Sequence, residues 1–483
     1  MTHEGSPVAV RFAPSPTGAL HPGSARTVIF NHLFARQQGG RFILRIEDTD
    51  RKRYAEASLA SILDGIRWLG LAWDEGPEVG GPHFPYFQSE RLSHYHQAVE
   101  RLLAAGDAYR CFCTAERLEA LREEQRLAGR PTMYDRHCLL LDPGEAERRF
   151  AAGEPAVVRM RVPEGETVVA DLIRGDRTIA NATVDDQVIL KSDGFPTYHL
   201  AATVDDHLMG ITHVIRAEEW LPSTPKHLML YRMLGWEPPV YAHVPLVLGP
   251  DKAKLSKRHG AASLLEYRDQ GYLPEAMVNF LAFLGWSPGT EQDLFDVDEL
   301  IQAFRLDKVQ SSPAVFDVAK LDNLNGQWIR RLPPEEFARR VKPFVPWLSD
   351  ELLLHAAPLI QERITRLTEA PQYLDFLVLR PAELPAELAP KKRTPDETIR
   401  VLQEARAYFE GAELGPAMEA GLRQVAEGLG WKAGEIFMTL RVALTGRTVT
   451  PPLLESARLL GRAECLVRLD HAIGQLIGRP AAL

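Results

Sequence analysis

Cysteine is scarce. Four occur in 483 residues, which does not make a disulfide framework. Long apolar runs are missing too: no window approaches the roughly 18 uninterrupted apolar residues of a membrane span. The opening MTHEGSPVAVRF has neither a basic n-region nor an apolar h-region, so no secretory signal is visible. A cytoplasmic protein without membrane partners is the expectation. Positive charge is also short, with 56 Lys and Arg against 65 Asp and Glu and a net charge of −9. That counts mildly against a nucleic-acid binder, because phosphate contacts need cations. An acidic body can still carry a basic stripe. There are no internal repeats and no low-complexity tail. What remains is an ordinary globular composition, 45% hydrophobic and 25% charged, at a length that suggests three or four domains.

The first fifty residues read as strand, helix, strand. VAVRFA is a short strand, and SARTVIFNHLFARQQ places Val28, Ile29, Leu33 and Phe34 on one side at helical spacing before Gly39-Gly40. RFILRIED returns as a second strand. A helical crossover implies parallel pairing, and ligands of such sheets sit beyond the carboxyl ends of the strands. Ala13–Gly18 and Glu47–Asp50 both fall at such ends and should face one crevice. From about 106 to 203 the texture changes to a charged helix, ERLEALREEQRLAG, and short β-like runs, AVVRMRV and TVVADLI, as in an insertion. THVIRAEEW and GPDKAKLSKRHG suit a return to the sheet. After roughly 330 the chain reads as helical. TPDE at 394–397 is a capping box, PPLLESARLLG at 451–461 is an amphipathic helix ending at Gly461, and RPAELPAELAPKKR at 380–393 is a Pro-punctuated linker.

Two short motifs carry chemistry. His21-Pro22-Gly23 lies between a strand end and a helix start, where backbone N–H groups and the helix dipole favour a phosphate. Gly23 lets a planar ring approach the backbone, and His21 can donate a proton to a phosphate oxygen; alone, the tripeptide equally fits a capping loop with a surface histidine. Lys254-Leu255-Ser256-Lys257-Arg258 sets three cations within five residues, bracketed by Gly249-Pro250 and Gly260. Such a loop can close on polyphosphate; alone, it equally fits a solvated basic loop. A third cluster, Cys111-Phe112-Cys113 with Tyr134 and Cys138, gathers three thiols and a phenol in 28 residues. Thiolates with one further ligand hold Zn²⁺ tetrahedrally. C-x-C is tighter than the usual spacing, so reduced buried thiols stay open.

The paired motifs and their flanks resemble a known family. RFAPSPTGALHPGSAR, RIEDTDRKRY, DGFPTYHLAATVDDHLMGITHVIRAEEW, KLSKRHGA and LRVALTG, in this order along nearly the whole chain, closely resemble the bacterial glutamyl-tRNA synthetases, which are class I aminoacyl-tRNA synthetases. HPGS and KLSKR depart mildly from the family's nominal HIGH and KMSKS. The resemblance implies an α/β Rossmann-like parallel-sheet catalytic domain (1–105 and 204–260) with an α+β acceptor-binding insertion (106–203). It further implies a stem-contact helical domain (261–330) and an all-α anticodon-binding region in two parts (331–483).

It implies a ligase that activates L-glutamate with ATP and Mg²⁺ and transfers it to tRNA(Glu), acting as a monomer. On that resemblance His21, Gly23, Glu219, Lys254, Ser256 and Lys257 bind ATP, and His21, Lys254 and Lys257 are catalytic. Arg11 and Arg216 take the substrate's side-chain carboxylate, Glu47 and Ser15 its α-ammonium, and Ala13, Tyr198 and Trp220 line the pocket. Some members use the C-x-C-x₂₄-C spacing with a tyrosine four residues before the last Cys as a zinc site, which would make Cys111, Cys113, Tyr134 and Cys138 ligands; His137 is the rival fourth ligand, and Cys465 is core.

Contacts to RNA are less legible. Arg330-Arg331 and Lys391-Lys392-Arg393 are candidate phosphate contacts. Gln361, in QERITRL, aligns near an arginine that demands cytosine at the last anticodon base, which adds tRNA(Gln) as a further partner. Two alternatives stand beside this reading. One is a glutaminyl-tRNA synthetase, which would end in a β-barrel and read FPPEPNG in place of FAPSPTG. The other is a tRNA-binding relative without catalysis.

Overall fold

The computed structural model describes residues 7–255, 263–411, 413–415 and 417–478. They form two units, 1–269 with 274–318 and 270–273 with 319–483. Among the described residues no helix is long and apolar enough to cross a membrane.

In the first unit the strand Ala9–Phe12 pairs in parallel with Arg41–Leu44, and His213–Ala217 pairs in parallel with Val240–Val244. Thr212 joins the two pairs: its N–H donates to the Ala9 carbonyl at 2.9 Å, and its hydroxyl accepts from the Ala9 N–H at 2.9 Å. The first strand therefore has its sequence neighbour on one side and a strand from two hundred residues later on the other. Chain direction reverses its winding there, and a crevice opens at such a point. The helix Pro22–Gln37 follows that strand. From Ala25 to Ala35 every residue is buried. The apolar stripe expected at Val28, Ile29, Leu33 and Phe34 is thus one side of a helix enclosed all round.

The insertion is antiparallel. Ala108–Cys111, Val157–Met160 and Val188–Leu190 make one sheet, and Glu166–Val169 with Arg177–Ala180 makes a hairpin. Its expected end at 203 falls inside the helix Tyr198–Leu208. The expected boundary at 330 also shifts, because the second unit takes up the chain from 319.

That second unit is helical. Thr394 and Glu397 form the expected capping box: the Glu397 N–H donates to the Thr394 hydroxyl at 3.2 Å and the Thr394 N–H to the Glu397 carboxylate at 2.8 Å. The helix from Leu453 does not stop at Gly461. It breaks there, at φ 77°, and resumes to Gly478. The segment 380–393 is not a free linker, since Leu384 and Leu388 are buried in the same core as Val401, Phe409 and Leu440. Cys465 is buried there as expected.

Gly40 turns the chain into the second strand, and a β-carbon on it would fall on the Val8 carbonyl oxygen. Gly40→Ala should therefore destabilise by about 1–3 kcal/mol, as overpacking does. The check is a thermal melt, in which an unchanged midpoint would mean the strand ends can part freely.

Candidate active site

One cavity of about 1400 Å³ opens at the carboxyl ends of the parallel strands, and Arg11, Ala13, Ser15, His21, Gly23, Glu47, Tyr198, Arg216, Glu219, Trp220 and Lys254 all line it. Ser256 and Lys257 lie outside the described residues. The remaining candidates, drawn from eight separate elements and loops, are brought together.

Arg11 ends the first strand buried, and its Nε donates to Asp206 at 3.1 Å. Its two Nη groups make no hydrogen bond to a described residue. Arg45, entirely enclosed, donates to the same Asp206 at 2.7 Å and to Glu47 at 3.2 Å. Behind it Asp205 accepts from Arg91 at 2.7 Å, Tyr95 at 2.8 Å and Gln88 at 2.9 Å. Burial pushes the Asp206 carboxyl upward, but Arg11 and Arg45 outweigh it and hold the group below the usual carboxylate range. Glu47 comes out the other way. Burial raises it more than Arg45 and Arg11 lower it, and it is pushed up to about 7.

Arg216 is held differently. It donates to His243 Nε2 at 3.0 Å, the Thr224 hydroxyl at 3.0 Å, the Tyr198 hydroxyl at 3.2 Å and the Trp220 carbonyl at 3.4 Å, and it meets His227 Nδ1 at 3.4 Å. Its donor directions are all taken by the protein. Arg11 can therefore offer a carboxylate two parallel N–H bonds, whereas Arg216 offers a fixed positive charge. The Tyr198 and Trp220 rings pack at 4.5 Å as one wall.

On the other side His21 caps the first helix, its Nδ1 accepting from the Gly23 N–H at 3.2 Å. Nε2 then carries the proton and has no partner among the described residues. Burial, then Lys254, lowers the pKa of His21, so the ring is a neutral donor beside a helix N-terminus. Lys254 is paired with Glu219.

The thiol cluster is separate. Cys111, Cys113 and Cys138 have their sulfurs within 4.8 Å of one another, and the Tyr134 hydroxyl lies 3.4 Å from both Cys111 and Cys113. Two Zn–S bonds at the tetrahedral angle put sulfurs about 3.8 Å apart, and Cys113 and Cys138 are at 3.6 Å. Arg159 lies over the Tyr134 ring at 3.9 Å and Arg117 donates to Cys113 at 3.5 Å, so cations offset the charge of three thiolates. The donor set fits a divalent metal. His137 is exposed and outside the group.

Gln361 is buried, with its amide nitrogen donating to the Ile329 and Leu332 carbonyls, both at 2.8 Å. It ties off the end of the helix Val318–Arg331. Arg393, a candidate phosphate contact, bonds Glu435 at 3.0 Å and covers Trp431. Sequence reasoning missed Arg45, Asp205, Asp206, Asp171 and His243. The first three carried a signal, charge inside apolar elements (FILRIE, LAATVDDHLM).

Residues 7–323 match the family of class I tRNA synthetases (E and Q), catalytic domain, and residues 336–473 match the anticodon binding domain family. The chain is 50% identical to a glutamate–tRNA ligase of Dehalococcoides mccartyi over the whole of both chains. It is 49% identical to one of Acidothermus cellulolyticus over 96% of this chain and 95% of that one. Its structure resembles the crystal structure of a glutamate tRNA ligase from Elizabethkingia meningosepticum in complex with its amino acid, with TM-score 0.91, 35% identity, and coverage of 98% and 100%.

The raised Glu47 has a consequence for stability. Between its ordinary value of 4.5 and about 7, the folded chain keeps a proton that the unfolded chain releases. Stability falls as pH rises through that window and stays lowered above it. Gln at 47 removes the effect. Glu47→Gln should gain melting temperature over the parent at pH 8 relative to its difference at pH 4; a pH-independent difference would mean Glu47 is ionised throughout.

Proposed function

The chain belongs to the class I tRNA synthetases for glutamate and glutamine, and from that premise we propose how its crevice performs the reaction. The activity is that of a glutamate–tRNA ligase, with tRNA, glutamate and ATP as partners and Mg²⁺ accompanying the nucleotide. An oxygen of the glutamate α-carboxylate attacks the α-phosphorus of ATP. The bond to pyrophosphate breaks, and pyrophosphate leaves. A hydroxyl of the terminal adenosine of tRNA then attacks the carbonyl of the glutamyl adenylate and loses its proton as AMP departs.

The protein supplies position and charge. Arg11 grips the side-chain carboxylate with its two uncommitted Nη groups, and Arg216 adds a charge that favours glutamate over the neutral glutamine. Glu47 and Ser15 take the α-ammonium. Ala13 leaves room beside them, and Tyr198 and Trp220 form the wall. His21 Nε2–H and the approach at Gly23 receive the nucleotide, with Glu219 at its edge. Lys254, drawn from Glu219 onto phosphate, neutralises the leaving group together with Lys257; Ser256 belongs to the same loop. The observation that carries this reading is that Arg11, His21 and Lys254 line one cavity.

We assign the four-atom cluster of Cys111, Cys113, Tyr134 and Cys138 to one structural Zn²⁺, which would tie the insertion's first strand to the turn at Cys138. We read the enzyme as a cytoplasmic monomer acting on tRNA(Glu). The position of Gln361 carries no arginine to demand cytosine at the last anticodon base, and with its amide committed to the Ile329 and Leu332 carbonyls we keep tRNA(Gln) as a further partner.

Purified tRNA(Glu) and tRNA(Gln) charged in parallel should give glutamyl-tRNA with the first; charging of the second as well would establish the wider specificity, charging of the first alone would remove it, and charging of neither would defeat the assignment. Two hydrogen bonds to a charged group contribute about 1.5–3 kcal/mol each, so Arg11→Ala should raise the glutamate KM by about a hundredfold or more. A parental KM would reassign the pocket. Metal analysis of protein never exposed to chelator should find near one zinc per chain, and none would end the zinc assignment.

A further inference from the structure

Behind the cavity wall lies a pair that does not touch it. Asp171 comes from the insertion, and His243 from the strand Val240–Val244; both side chains are wholly enclosed. One Asp171 oxygen accepts from the Ile173 and Arg174 N–H groups at 3.0 and 2.8 Å, closing a local turn. The other accepts from His243 Nδ1 at 2.5 Å and from the His243 N–H at 3.1 Å. An ionised carboxylate can only accept, so Nδ1 carries the imidazole proton. Nε2 is then a lone pair, and it accepts from Arg216 Nε at 3.0 Å, with the Thr224 hydroxyl at 3.3 Å. The opposite tautomer would set N–H against N–H. The backbone reinforces the alignment, for the Leu172 N–H donates to the Tyr241 carbonyl at 3.0 Å and docks this stretch of the insertion on the catalytic sheet.

We propose that Asp171 and His243 are positioning residues that fix the direction of the Arg216 guanidinium and thereby set the affinity for the glutamate side chain. The proposal rests on the reading that Arg216 faces that side chain. Asp171 dictates the tautomer, the tautomer gives Arg216 Nε its acceptor, and the planar guanidinium is then turned only one way. The remaining bonds to Thr224, Tyr198 and Trp220 follow from that plane.

Asp171→Asn tests it, because the amide keeps one oxygen for the turn while placing an N–H where His243 Nδ1 needs an acceptor. The imidazole must then take its proton on Nε2 and lose the bond from Arg216. The expected result is a glutamate KM raised about tenfold with the ATP KM within twofold, as loss of one charge-assisted bond gives. The ¹⁵N shifts of His243 should move the proton from Nδ1 to Nε2. His243→Asn is the second variant, since its amide reaches Asp171 but offers Arg216 nothing, and it should raise the glutamate KM similarly. A flipped tautomer with an unchanged glutamate KM overturns the proposal. So does an equal rise in both KM values, which would mean a structural role alone. Arg11→Ala, measured alongside, separates the two readings: if it raises the glutamate KM and the positioning variants do not, only the pair is refuted, whereas if it does not, the pocket assignment itself fails.

Discussion

Asp206 sits between two guanidiniums, 3.1 Å from Arg11 and 2.7 Å from Arg45, and the geometry of the amino-acid pocket follows from that one carboxylate. Removing these charges from water is expensive, and a buried pair is weak evidence for stability. What it provides is direction. By occupying Arg11 Nε, Asp206 leaves both Nη groups facing the cavity, in the fork that a carboxylate matches. By occupying Arg45, it places a second cation against Glu47. Asp205, one residue earlier on the same helix, anchors the back of the array through Arg91, Tyr95 and Gln88. Consecutive residues on a helix point about a hundred degrees apart, so two adjacent aspartates serve two layers of the same network.

The crevice is a property of the winding. The first strand has the next strand of the chain on one side and one from two hundred residues later on the other, and the loop leaving it leads directly into the first helix. Arg11 at the strand's end and His21 at the helix's start are therefore ten residues apart in sequence and necessarily near the same opening. The helix N-terminus brings unsatisfied N–H groups and a partial positive charge, and His21 spends Nδ1 on one of them, which orients Nε2 as a donor. Two sides of the cavity thus come from one loop, with the later strand contributing Arg216, the turn after it Glu219 and, further on, Lys254.

What could be read from the sequence was what depends on short range. The strand, helix and strand at the start, the cap at Thr394 and the charged helix Ala115–Leu127 all rest on spacing within a few residues. Long matched blocks carried the site residues, since each block holds a stretch of cavity wall. Other features depended on partners far along the chain. Asp171 is an unremarked carboxylate until His243, seventy-two residues later, stands over it. Gln361 stood out only by its place in an alignment, and the Ile329 and Leu332 carbonyls that claim its amide are about thirty residues away. Pro-rich 380–393 looked like a tether because prolines punctuate it, yet Leu384 and Leu388 fit the core of the helical unit. In each case tertiary contact decided the role.

Glu47 shows why such a pocket resists being optimised for stability alone. Its carboxyl is buried beside Arg45, yet burial outweighs that cation and raises its pKa to about 7. A neutral side chain of the same shape would fit the empty fold better. On the proposed role of Glu47, an α-ammonium beside it would bring the missing counter-charge and make the carboxylate the favoured form. Its ionisation would then be completed by the substrate and not by the fold. The same logic holds for Arg11, whose two Nη groups make no hydrogen bond to a described residue. On the proposed reading, one under-neutralised acid and one under-bonded guanidinium would sit at opposite ends of the amino acid and favour a ligand that supplies both complements at once.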